Sequence, residues 1–210
     1  MNSQNKICLF LLIFFSINVF CQTKIATLPK TYTAYKTNIS INIDGKVNES
    51  IWNKVNWSSN FIDIEGEKDP KYQTKIKIIW DEDFFYILAD IKEPHIWGNI
   101  NKKDAVIYLN NNFEIFIDPD GDTHNYYEIE INALNTIWDL FLTKPYRELN
   151  SLAINDWNIT GLKSAIGING TLNNPNDTDK GWIVEMAIPW SAFKTSYFQD
   201  VVPRDKYWRV

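Results

Sequence analysis

The chain has 210 residues, 45% of them hydrophobic, so it is long enough to bury the core of one domain of ordinary size. Its formal net charge is -5, and its lysines and arginines are scattered rather than clustered, which argues against nucleic acid as a partner. Aromatic residues make up 15% of the chain. Some of them must fill a core, and the surplus favours a surface that stacks on a flat, weakly polar ligand.

The N-terminus has the layout of a secretory signal peptide, predicted over residues 1–21. A polar start ends in Lys6 and precedes an apolar run that is too short to span a bilayer, since a spanning helix needs about 20 residues. Cleavage is predicted between Cys21 and Gln22, giving a secreted or periplasmic protein with no transmembrane segment. A lipoprotein anchored at Cys21 is the alternative. Both cysteines, Cys8 and Cys21, lie in this leader, so the mature chain offers no disulfide and no cysteine-bound zinc.

Residues 22–38 are predicted to form an extended N-terminal arm, and a domain over residues 39–210 follows. Period-two alternation predicts a strand at 39–44. Asn48 is predicted to cap a short helical turn in which Trp52 plugs the end of a β core.

Further alternating or apolar runs predict a series of strands separated by polar turns. The predicted strands are 74–80, 84–92, three runs within 111–142, 157–159, 162–171 and 181–188. The run 84–92 is apolar on both faces, which favours a central position in a sheet. Turn signals recur at roughly 8 to 12 residues, and few helices are indicated. The fold class is therefore all-β, an antiparallel β-sandwich with one or two short helical turns.

Several motifs occur together in a fixed order. They are Ile43-Asp-Gly45 with Glu49 and Trp52, Ile79-Trp-Asp81 before Phe85-Tyr86, Phe113 to Asp122, Tyr126 to Asn132, and Gly181 to Trp190. With these motifs, residues 38–210 resemble the family 9 carbohydrate-binding modules, in the family 9-like branch common among secreted bacterial proteins. The resemblance implies a sugar-binding β-sandwich, a glycan-degrading enzyme as partner, and calcium, which the better-known members bind.

The resemblance also implies residues of a sugar site. In the better-known members a glutamate that matches Glu114 bonds to hydroxyls, and a tryptophan, for which Trp97 is the nearest candidate, stacks on the sugar. Its partner tryptophan would lie past Val210, and the apolar, β-type segment 207–210 predicts that the domain is truncated there. Those members carry an arginine where this chain has Glu130, so the sugar is left open.

The central segment offers the rings and planar polar groups that a pyranose requires. The predicted ligand-binding residues are Trp97, Glu114, Tyr127, Glu128, Glu130, Asn132 and Trp138. By strand alternation, Glu128, Glu130 and Asn132 share one face. The competing interpretation is the solvated face of a half-buried sheet, and the resemblance favours binding.

Asp118, Asp120 and Asp122 are alternate carboxylates around a glycine turn, an oxygen cluster of the type that holds calcium. An ordinary acidic turn is the alternative.

The predicted function is that of a secreted, non-catalytic domain that binds mono-, oligo- or polysaccharide in glycan catabolism. One alternative is a glycoside hydrolase, because the three glutamates of the central segment could supply the two carboxylates that the reaction needs. The other is a haem-binding β-sandwich, for which Met186, His95 and His124 are the available ligands.

Overall fold

The hairpin of β2 (Thr74–Trp80) and β3 (Phe84–Ile91) confirms the clearest strand prediction. In this computed structural model the two strands pair antiparallel along their whole length. The acidic turn between them is closed by Asp81, whose carboxylate accepts the backbone N–H groups of Asp83 and Phe84 at 2.8 and 2.7 Å. As the apolar run indicated, β3 lies inside its sheet, between β2 and β9 (Gly181–Pro189).

The structure describes residues 29–64, 66, 68–195, 199–204 and 206–210. Residues 32–210 form one compact unit, and residues 29–31, which belong to a second unit, have no regular secondary structure. The predicted signal peptide, with its cleavage and lipidation sites, lies outside the described residues. Within those residues, no helix is long and apolar enough to cross a membrane.

The described strands form two sheets. Besides β2 and β3, the strands are β1 (Tyr35–Lys36), β4 (Asn112–Ile117), β5 (Tyr126–Asn132), β6 (Ile137–Leu142), β7 (Ala153–Ile154), β8 (Lys163–Asn169) and β9 (Gly181–Pro189). Sheet A has the order β1-β2-β3-β9-β8 and sheet B the order β4-β5-β6-β7. All neighbours pair antiparallel except β1, which runs parallel to β2 and lies inside the predicted arm.

The main hydrophobic core lies between the two sheets. From β5, the alternate residues Tyr127, Ile129 and Ile131 point into it, where they meet residues of β9 such as Val184 and Met186. All five are buried. The predicted antiparallel β-sandwich is confirmed, and the alternation that defines its core also directs the intervening residues of β5 to the outer face.

A second hydrophobic cluster covers the outer face of sheet A. The 3-10 helix Ser50–Asn53 places the fully buried Trp52 against this face, with Leu88 and Ile183 in the same cluster. The packing role predicted for Trp52 is confirmed, but the ring covers the face of a sheet instead of plugging the end of the core. The helix cap is Glu49, not Asn48, and its side chain makes no capping bond.

Glu185 of β9 fastens this covering segment to the sheet. Its fully buried carboxylate accepts the backbone N–H groups of Asp44 and Gly45 at 3.0 and 3.1 Å and the indole N–H of Trp52 at 3.3 Å. Gly45 has a φ of 76°, and a Cβ there would lie 2.7 Å from the carbonyl carbon of Ile166, so only glycine fits. Two of the motifs that carry the family resemblance therefore meet in one contact.

The strand predicted at 39–44 does not form. Ile41 is buried as the alternation indicated, but the backbone N–H groups of Asn42 and Asp44 donate to the side chains of Glu49 and Glu185. Side-chain acceptors thus replace the partner strand that a sheet would have supplied.

The strand predicted at 157–159 is also absent, and β7 forms where no strand was predicted. The backbone N–H of Ile159 donates to the buried carboxylate of Asp139 instead of a neighbouring strand. A 3-10 helix, Trp190–Phe193, follows β9 directly.

Replacing Glu185 with alanine should destabilise the domain by about 3–5 kcal/mol, because three buried donors lose their acceptor and each costs about 1–3 kcal/mol when unpaired. Urea unfolding of Glu185→Ala beside Glu148→Ala, whose side chain is half exposed, measures this. Equal unfolding free energies for the two variants would contradict the anchoring role of Glu185.

Candidate functional site

Three glutamates meet on the outer face of sheet B. Glu114 of β4 stands directly opposite Glu130 of β5, and Glu128 lies two residues before Glu130 on the same face, as the alternation predicted. One carboxylate oxygen from each of the three lies within 4.8 Å of the others. We call these residues the glutamate cluster.

The glutamate cluster is open at one side and closed at the other. Glu114 is exposed, whereas Glu128 and Glu130 are each only 2% exposed. Burial, together with the charge and hydrogen bond of Glu114, raises the pKa of Glu128 to about 8. Burial and the Glu114 charge raise the pKa of Glu130 to about 7. Near neutral pH the cluster therefore holds a proton, so that it can donate a hydrogen bond as well as accept several.

Two tyrosines from loops border the glutamate cluster. The phenol of Tyr146, between β6 and β7, donates to Glu128 at 2.6 Å. The backbone of Tyr108, in the 3-10 helix Ile107–Leu109, lies close enough to Glu130 to act on the pKa of that carboxyl. Their side chains remain 56% and 62% exposed. Neither residue was predicted, because both lie in segments without strand periodicity. The sequence shows only that each is an aromatic residue in a polar segment close to the central strands.

Trp138 lies on the same face. It pairs with Glu130 in the ladder between β5 and β6, its ring packs on that of Tyr108 with centroids 6.0 Å apart, and its indole N–H donates to Asn155. On the other side of β5, Phe116 of β4 pairs with Glu128, and its partly exposed ring packs edge-on against Tyr126. Aromatic side chains thus lie beside the carboxylates on both strands that neighbour β5.

Tyr127 was predicted as a ligand-binding residue, and this prediction is wrong. It adjoins Glu128 in a strand, so it points to the opposite face, into the core between the sheets. Its ring is buried against those of Phe141, Trp157 and Phe193.

The prediction for Asn132 is also wrong, for a different reason. It lies on the correct face, but it is fully buried and its amide is used by the protein. The amide nitrogen donates to the carbonyl of Ile100 at 2.8 Å, and the oxygen accepts the backbone N–H groups of Leu134 and Thr136 at 3.0 Å each. Asn132 shapes the turn after β5 and has no surface for a ligand.

Trp97 lies in the loop after β3 with its ring about half exposed. The next residue, Gly98, exchanges two 2.8 Å hydrogen bonds with the amide of Asn173, which hold the loop in place. Stacking of a sugar on Trp97 stays a prediction.

The turn after β4 gathers Asp118, Asp120 and Asp122, with one oxygen of each within 4.8 Å of the others. The buried Asp118 carboxylate accepts the backbone N–H groups of Gly121 and Thr123, each at 2.9 Å, and these bonds shape the turn. Burial and the two neighbouring carboxylates raise the pKa of Asp120. The geometry fits a cation bound by oxygens, because hard cations take several carboxylate oxygens and offset such repulsion.

Met186, the only methionine offered for haem ligation, is fully buried in the core between the sheets. It has no open side to a cofactor, so the haem alternative is left with His95 and His124 alone.

A β-sandwich with acceptors and aromatic rings on an open outer face defines a domain built to bind polar, flat-faced ligands. Residues 43–202, most of the chain, match the family model described as carbohydrate family 9 binding domain-like. The chain belongs to this family of carbohydrate-binding domains. It is a binding module and not a catalytic one, which argues against the glycoside hydrolase alternative.

Two curated relatives are multidomain enzymes by their length. The exoglucanase XynX of Acetivibrio thermocellus is 29% identical over 71% of this chain, and an endo-1,4-beta-xylanase A of Thermotoga maritima is 33% identical over 72% of it. The match covers 12% of each enzyme. Among solved structures, a candidate carbohydrate-binding protein from Bacteroides uniformis aligns with a TM-score of 0.57 at 16% identity, covering 76% of this chain and 72% of its own. It shares the fold.

The stability of the domain should fall as the pH rises from about 5 to 8. Glutamates of the unfolded chain lose their protons near pH 4.5, whereas folded Glu130 and Glu128 keep theirs up to about pH 7 and 8. Across this window the folded state binds more protons than the unfolded state, so a rise in pH lowers the free energy of unfolding. The double change Glu128→Gln and Glu130→Gln should flatten this fall in the thermal midpoint.

The control for this measurement is Glu148→Gln, a half-exposed glutamate outside the cluster, which should keep the full slope. A smaller slope remains in the double variant, because burial also raises the pKa of Glu185. An unchanged slope in the double variant would show that the cluster does not hold its proton.

Proposed function

We propose that the glutamate cluster and its aromatic borders are the surface with which this domain binds carbohydrate. The observation that carries the proposal is the open Glu114 carboxylate, which stands beside two partly protonated glutamates between exposed rings of Tyr108 and Tyr146. Sugars present alternating hydroxyls and apolar C–H faces, and this surface offers a partner for each.

The chemistry assigns a role to each part of the surface. Glu114 accepts hydrogen bonds from sugar hydroxyls, as the family resemblance implies. Glu128, which is buried and keeps its proton near pH 7, donates it to the Glu114 carboxylate and so helps to hold that acceptor in place, and Tyr146 fixes the position of Glu128. The rings of Tyr108, Phe116 and Trp138 cover the apolar side of a sugar.

We further propose that the protein is secreted and acts in glycan breakdown. Support comes from the predicted leader at residues 1–21 and from relatives named as a xylanase and an exoglucanase, in which the matching segment is a small part of the enzyme. A module of this kind raises the local concentration of a linked or associated catalytic domain on its polymeric substrate.

A calcium ion is our proposal for the acidic turn, held by Asp118, Asp120 and Asp122. The support is the convergence of their oxygens and the raised pKa of Asp120, which reports repulsion that a cation would relieve. Such an ion would order the turn that joins β4 to β5. It would act on the sugar surface only through the position of those two strands.

Changing Glu114 to alanine should weaken carbohydrate binding at least tenfold, because the exposed acceptor at the centre of the surface is lost. A glycan array followed by calorimetry with the best-bound sugar measures the effect. Glu148→Ala serves as the control and should bind normally, since that residue lies outside the cluster. Equal affinity in the two variants would remove Glu114 from the site.

Calcium at millimolar concentration should raise the thermal midpoint by a few degrees, since an ion that binds only the folded state stabilises it. Asp120→Asn should abolish the shift, and its midpoint in EDTA should equal or exceed that of the unchanged protein, because the change also removes the repulsion from Asp118 and Asp122. A thermal midpoint that is the same with calcium and with EDTA would show that the three aspartates form an ordinary acidic turn.

A further inference from the structure

A cavity of about 390 Å³ opens beside the glutamate cluster, at the end of the sandwich where β3 finishes and β4 begins. Tyr72, from the residues before β2, and Tyr108, from the 3-10 helix, both line it, and Asn111 and Asn112 supply amides. Its size lies within the range of about 300–1,000 Å³ that is common for ligand sites.

The polar floor of this cavity is fixed before any ligand arrives. Glu93 is buried, and its carboxylate accepts the indole N–H of Trp182 at 2.7 Å and a hydrogen bond from the amide of Asn111. These bonds orient the Asn111 amide, so its oxygen is the acceptor left for a ligand. A polar group held in this way loses little conformational freedom on binding.

Two residues that line the cavity also adjoin the glutamate cluster. The side-chain amide of Asn112 donates to Glu130 at 3.0 Å, and the backbone of Tyr108 lies beside the same glutamate, while both residues line the cavity. A ligand that leaves the cluster in this direction therefore passes directly into the cavity.

The lining has the composition of a sugar site. The rings of Tyr72 and Tyr108 are 39% and 62% exposed, and ring faces of this kind stack on the apolar side of a pyranose. Amide groups and the ammonium of Lys92, which also bonds to Asp90, are suited to hydroxyls. The cavity carries these features independently of the carboxylates of the cluster.

We propose that this cavity is a second subsite, which binds the neighbouring unit of an oligosaccharide whose first unit lies on the glutamate cluster. The inference rests on the proposed function and deepens it, because it makes the ligand a chain of at least two sugar units. Tyr108 is the residue that both units touch, and Tyr72 belongs to the second unit alone.

Calorimetry on the full chain tests this with two series of probes: glucose, cellobiose and cellotriose, and xylose, xylobiose and xylotriose. We expect the disaccharide and trisaccharide of the preferred series to bind at least tenfold more tightly than the monosaccharide. Tyr72→Ala should remove about tenfold of the trisaccharide affinity and leave the monosaccharide affinity unchanged, whereas Tyr72→Phe should keep both.

Tyr35→Ala is the matched control, because Tyr35 is an exposed tyrosine beside the opposite end of β2. It should bind every probe normally. Equal affinity for one and three units, or a Tyr72→Ala variant with unchanged trisaccharide affinity, overturns the second subsite alone. Failure of every probe to bind, or an ineffective Glu114→Ala, overturns the proposed function and the subsite with it.

Discussion

The packing of the inward face of β5 against β9 is the constraint on which the rest of the domain depends. Ile129 and Ile131 pack in the core with Val184 and Met186. Because successive side chains of a strand point to opposite faces, the neighbouring residues Glu128 and Glu130 must lie on the outer face. Three acidic side chains are thereby forced together on the outer face, at a cost that is visible in the raised pKa values of Glu128 and Glu130. A core of ordinary hydrophobic contacts thus holds an electrostatically unfavourable arrangement in place.

Four buried carboxylates of the described residues differ in their donors. Glu185, Asp139 and Asp179 each accept at least one backbone N–H, and each ties a loop to the sandwich. Glu128 has a phenol and other carboxyl groups around it, and its pKa is the highest among the glutamates for which a value is resolved. The backbone bonds give the first three a structural role, whereas Glu128 is surrounded by side chains of the proposed binding surface.

The sequence was sufficient to predict the elements whose pattern is local. Strands β2, β3, β5 and β9 and the shared face of Glu128 and Glu130 follow from alternation alone. Alternation does not show whether a polar side chain is already hydrogen-bonded within the protein. Asn132 lies on the predicted face, but its amide is hydrogen-bonded to the backbone of the turn after β5 and to Ile100. For Tyr127, the phenol group favoured a binding role, but strand alternation places this residue on the face opposite Glu128. The bordering tyrosines arrive through loops, and no periodicity encodes where a loop returns.

The segment that Glu185 fastens over sheet A has a consequence for how the domain meets a polymer. With Trp52 and its neighbours filling that side, one broad surface is sealed by protein and the other carries the carboxylates and rings. The two outer faces of the sandwich therefore differ, and only the face of sheet B carries the proposed binding surface. Whatever is attached to it is presented to the polymer in a limited set of orientations, which the sealed side helps to define.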